Sequence, residues 1–141
     1  MNNLYLQMTL VFAAGCLGGL ANGVVVWLSG VLGITKMLGV SIKPAWTPSW
    51  IYAKIVWGGL WGFLFLYPLP LDATWCVKGA VYSLGPTLGV LFIVFPFQAK
   101  KGFLGLKLGM LTPVFAILVN AVWGIVAAYW IMMISQVSVF S

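Results

Sequence analysis

The chain has no histidine, no arginine and a single acidic side chain, Asp72, in 141 residues. General acid–base catalysis and hydrolytic metal sites draw on histidine and carboxylates. With one carboxylate and no imidazole, neither has its usual residues. No Ser/His/Asp set and no phosphate-cradling glycine loop followed by lysine is present. A haem would find only methionine or cysteine as a ligand. The two cysteines, Cys16 and Cys76, belong to no CxxC pair and no Cys/His cluster, so metal and dithiol redox readings lack support. Two free thiols are expected. The sequence therefore argues against an enzyme, and no cofactor or metal is expected.

Charge is scarce altogether, at 6% of residues. Soluble domains carry roughly 25%, and a water-facing surface cannot be built from so little. The net charge of +6 comes from seven lysines against Asp72. Without arginine forks to read phosphates and bases, nucleic acid is not the expected partner. The lysines flank long apolar runs instead, which points to a bilayer.

Four runs are long enough to cross the hydrocarbon, which takes roughly 20 residues. They cover about Thr9–Ile34, Trp50–Leu69, Gly79–Phe97 and Leu111–Ser135. Pro86 and Pro96 interrupt the third, while Pro113 falls in the first turn of the fourth, where its missing N–H costs little. Lys36 and Lys43 lie between the first and second runs; Lys100, Lys101 and Lys107 lie between the third and fourth. The positive-inside rule places both lysine-rich segments in the cytoplasm and both termini outside. MNNLYLQ has no basic stretch, so a cleaved signal peptide is not expected. A bacterial inner membrane, with periplasmic termini, is the expected setting. Both lysine-rich segments are too short to span, so they are expected in the interface, attracting anionic headgroups at about 1 kcal/mol per lysine. Lys54, near the start of the second run, is expected to snorkel to the same headgroups. Trp46, Trp50, Tyr52 and Trp75 fall where an aromatic belt belongs.

The sequence also repeats itself. A shift of 66 positions carries Gly19 onto Gly85, Gly23 onto Gly89, Leu38-Gly39 onto Leu104-Gly105, and Val56-Trp57-Gly58 onto Val122-Trp123-Gly124. Thr47-Pro48 meets Thr112-Pro113 after a slip of one residue. Each copy, at about 9–69 and 79–135, holds two runs. An even number of crossings returns the chain to its starting side, so the copies insert in parallel about an axis along the membrane normal.

Small residues recur every four positions and form helix stripes: Gly15, Gly19 and Gly23; Gly58 and Gly62; Gly85 and Gly89; and Ala116, Asn120, Gly124 and Ala128. Such stripes let helix backbones approach closely in lipid. Asn22 and Asn120 are the main polar side chains within the runs, and Asn120 takes the place of Lys54 in the second copy. Interhelical hydrogen bonding is the ordinary role of such amides; lining a polar path with Thr87 is the functional one. Ser29, Ser83 and Thr87 can also bond their own helix backbone.

The expected fold is one all-α membrane domain over residues 1–141, with four transmembrane helices as two parallel hairpin repeats packed through glycine stripes. The expected function is a non-enzymatic accessory or scaffold subunit of a larger membrane complex, or a homo-oligomer. The alternative is a small channel or uniporter-like conduit for a neutral or anionic solute.

Overall fold

The structure is a computed structural model that describes residues 3–70 and 72–135, so the domain expected over 1–141 extends past the described residues at both ends. Those residues form helices and turns, with no strand among them. Four helical segments are long and apolar enough to span a membrane: Leu4–Val31, Pro48–Leu66, Trp75–Gln98 and Thr112–Ser135, here spans 1 to 4. Each lies within a few residues of the run expected from sequence.

Local chemistry sets the ends. The Asn3 side chain caps span 1 by accepting from the Leu6 N–H, and Thr47 caps span 2 by accepting from the Trp50 N–H. Thr74 does the same for span 3, through the Val77 N–H. These side-chain oxygens satisfy donors that the first helical turn leaves unpaired. Span 2 begins with Pro48 and tightens into a 3₁₀ turn over Gly62–Leu66.

Span 3 is segmented. An α-helix over Trp75–Tyr82 breaks at Ser83, resumes over Leu84–Gly89 and widens into a π-helix over Val90–Gln98. Both prolines explain this. Pro86 has no N–H for the Tyr82 carbonyl, and Pro96 has none for Phe92, while each ring crowds the carbonyl four residues back. The wide register persists beyond Pro96, where the Ala99 N–H reaches the Val94 carbonyl at 2.7 Å.

The spans pack antiparallel in the order 2–1–4–3. Span 1 lies against spans 2 and 4, and span 4 also lies against span 3. A methyl on Gly58 would lie 2.6 Å from the Gly15 carbonyl oxygen and 2.7 Å from Gly19 Cα. One on Gly124 would meet the Gly79 carbonyl and lie 3.0 Å from Ser83 Cβ. Gly85 and Gly89 face elsewhere: methyls there would lie 2.5 Å from Leu64 Cδ1 and 3.0 Å from Trp61 Cζ2, both on span 2.

The lysine-bearing connections close one end of the bundle. After span 1 the chain turns through Gly33 and Gly39, both at positive φ, a conformation that suits glycine. A single helical turn, Ile34–Met37, separates them. The second connection carries a short helical stretch over Phe103–Leu108, and the Ser41 N–H joins the two by donating to the Leu108 carbonyl at 2.7 Å. Val40 folds inward here to pack with Val26, Phe115 and Val119. Lys36, Lys43, Lys100, Lys101 and Lys107 are all exposed at this end.

Candidate functional site, a cleft between spans 2 and 3

Spans 2 and 3 meet towards the end opposite the lysines, where Trp61 and Leu64 sit over Gly85 and Gly89. Below that contact they diverge around a cleft of about 480 Å³. Trp50, Ala53, Lys54 and Trp57 line one wall; Pro86, Val90, Ile93, Val94 and Gln98 line the other. The floor comes from spans 1 and 4, with Gly19, Asn22, Asn120 and Trp123. All four spans therefore contribute. The π-helix supplies most of the span 3 wall, and widened helical turns of this kind recur at functional sites.

Two of the amides marked by the sequence come together here. Asn22 is buried at 4% exposure and donates through Nδ2 to the Val119 carbonyl at 2.7 Å and to Asn120 Oδ1 at 3.3 Å. A carbonyl oxygen only accepts, so the Asn22 group facing Val119 must be its NH2. The Asn120 atom facing that NH2 must then be its oxygen, which turns the Asn120 NH2 the other way.

Lys54, expected from sequence to reach the headgroups, lines the same cleft. Its ammonium lies over the Trp50 ring, 5.7 Å from the centroid, within reach of a cation–π attraction. Asp72, the chain's sole acidic side chain, follows the other end of span 2 and cannot be its partner.

Thr87 does not join the lining. It is buried, and its hydroxyl donates to the Ser83 carbonyl at 2.8 Å. Ser83 and Ser29 likewise bond to carbonyls of their own helices. Hydroxyls in spans commonly do this.

Trp123 ties the floor together. Its indole N–H lies 3.2 Å from the Gly15 carbonyl and 3.1 Å from the Gly58 carbonyl, a shared donation from span 4 to spans 1 and 2. The Gly58 oxygen also accepts from the Gly62 N–H of its own helix, so the indole uses a remaining lone pair. Trp57 is 61% exposed on the lip of the cleft.

The arrangement offers donors and one positive charge in a largely apolar slot, with no carboxylate. No protein-family model, curated protein or solved structure matches the chain.

Proposed function

We propose that this is a non-enzymatic bacterial inner-membrane protein that takes a neutral or anionic solute into the cleft from the cytoplasmic, lysine-bearing side and conducts it across. One observation carries the reading: Asn22, Lys54 and Asn120, from three different spans, converge on one cleft that has no carboxylate. Trp61 against Gly89 closes the far end and is the gate to be opened. The accessory-subunit reading drew its support from abundant glycine stripes. Those glycines face other spans of the same chain, so they no longer call for a neighbouring subunit.

The parallel-repeat architecture belongs to this proposal. What supports it is a correspondence of contacts: Gly58 lies against Gly15 and Gly19 as Gly124 lies against Gly79 and Ser83. Matching contacts in this way keeps the shift of 66 for the second helix of each hairpin, but gives 64 for the first (Gly15 to Gly79). A twofold axis along the membrane normal would exchange the span 1–span 4 interface with that between spans 3 and 2. The first is closed by Asn22 and Asn120. The second is the cleft, where Lys54 stands in the place of Asn120. On this view duplication made two equivalent interfaces, and a lysine opened one of them.

Reconstitution in liposomes tests the function. Anion or neutral-solute flux that disappears in Asn120→Leu, with helicity and oligomeric state unchanged, is expected. Equal flux in the variant, or recovery from mild detergent only as a stoichiometric complex with a larger membrane enzyme, overturns the autonomous conduit.

A further inference from the structure

We infer that the cleft is a headgroup site for a monoanionic amphiphile drawn sideways from the bilayer, its head on Lys54 and Asn120 and its chain leaving past Trp57 and Ile93. This rests on the cleft being the solute site, and it names the class of solute.

Charge comes first. Lys54 is the cation of the cleft wall, and no acidic side chain faces it. Charged groups removed from bulk water are ordinarily paired, and a lysine inside a span is costly, roughly 2.5–3.5 kcal/mol at the centre and less at the Lys54 position towards one end. The Trp50 ring offsets only part of such a cost, about 0.5–2 kcal/mol. An anion completes the pair, and one ammonium calls for one negative charge.

Hydrogen-bonding sense agrees. The Lys54 ammonium only donates, and the Asn120 NH2 is turned outward by the chain of bonds that begins at the Val119 carbonyl. Asn22 Oδ1 and the Gln98 amide oxygen are the side-chain acceptors left over, and Gln98 brings an NH2 as well. Donors thus outnumber acceptors around the head position, which suits carboxylate or phosphodiester oxygens and not a cation.

The remaining lining selects against a small free ion. Trp57, Val90 and Ile93 present apolar surface that such an ion would leave uncovered. The slot opens between spans 2 and 3 on the lysine-bearing side of Trp61 and Leu64. Trp57 and Ile93, on its two lips, are 61% and 56% exposed and fall within the membrane-spanning lengths of spans 2 and 3. A cavity of about 480 Å³ is large enough for a headgroup and the start of one chain, within the usual ligand-pocket range of roughly 300–1,000 Å³.

The test uses the full chain in a neutral detergent, with native mass spectrometry counting retained molecules. Phosphatidylglycerol, oleate, phosphatidylcholine and inorganic phosphate are the probes. One phosphatidylglycerol or oleate per chain, retained at least tenfold more tightly than phosphatidylcholine, is expected. Lys54→Gln should lower that affinity at least tenfold, and by more than Lys100→Gln/Lys101→Gln does. Lys54→Gln removes a charge from a span, and circular dichroism confirms its fold. Undiminished retention in Lys54→Gln overturns the site. Loss only in the Lys100/Lys101 variant assigns retention to the surface and also overturns it. Equal retention of phosphatidylcholine, or displacement of oleate by equimolar inorganic phosphate, overturns the anionic amphiphile. Failure here is separable from failure of the conduit: retention without flux sinks conduction alone, and flux without retention sinks this inference alone.

Discussion

Replacing Gly58 by alanine tests whether close backbone approach holds spans 1 and 2 together. The added methyl would lie 2.6 Å from the Gly15 carbonyl oxygen and 2.7 Å from Gly19 Cα. Both are backbone atoms of a regular helix, so no side chain can swing aside. Restoring ordinary contact requires the helices to part by about 1 Å, and a gap of that size forfeits roughly a quarter to a half of each contact's attraction. Overpacking costs typically about 1–3 kcal/mol, and two clashes with rigid backbone place this site at the upper end. Alanine's better helix propensity returns about 1 kcal/mol. The net expectation is a loss of about 2 kcal/mol. Gly89→Ala is the matched control, because its methyl would lie 3.0 Å from the edge of the Trp61 ring, a side chain that can shift. That variant should stay within about 1 kcal/mol of the parent. Unfolding in mixed micelles with increasing dodecyl sulfate, followed by far-ultraviolet circular dichroism, measures both. A Gly58→Ala protein as stable as the parent, or a Gly89→Ala protein that loses more, refutes the reasoning.

Trp123→Phe removes the indole donor shared by the Gly15 and Gly58 carbonyls. Both carbonyls belong to helices, so the loss should be about 0.6–1.7 kcal/mol for the bond, plus a packing term from the smaller ring. The same micelle titration reads it, and no change would count against the indole as a tie between spans 1, 2 and 4. Asn22→Leu and Asn120→Leu, singly and together, should show a coupling of about 0.6–1.7 kcal/mol in a double-mutant cycle. Asn22→Leu should be the more costly single change, because Asn22 also donates to the Val119 carbonyl. Strictly additive losses would mean that the two amides act separately.

The number and position of the spans were legible because hydropathy is a property of each segment alone. Span 2 begins at Pro48 because Thr47-Pro48 is a cap followed by a favourable first helical residue, and both are local signals. The interruption of span 3 was legible from Pro86 and Pro96, although its π register was not. What stayed hidden was direction around each helix axis. Gly85 and Gly89 have the same spacing as Gly19 and Gly23, yet they face Trp61 and Leu64 of span 2. Spacing fixes a stripe but not the neighbour it meets. Lys54 posed the same difficulty: its distance from the span end suits a snorkelling side chain, and only the divergence of spans 2 and 3 gives it a cleft. Asn22 and Asn120 were recognisable as amides in search of partners, and their mutual pairing required the span order 2–1–4–3.

That order has a consequence for how the chain is made. The polar ties on span 1 come from the last span to be synthesised: Asn22 waits for Val119, 97 residues later, and the Gly15 carbonyl waits for Trp123, 108 residues later. At roughly 5–20 residues per second, a ribosome takes about 5–20 s to cover that distance. Once span 2 is complete, the first hairpin must wait for span 4 with its amide lacking these partners. Its biogenesis therefore depends on whatever shelters a half-built bundle, and a chain truncated before span 4 should be a preferred target for membrane quality-control proteases.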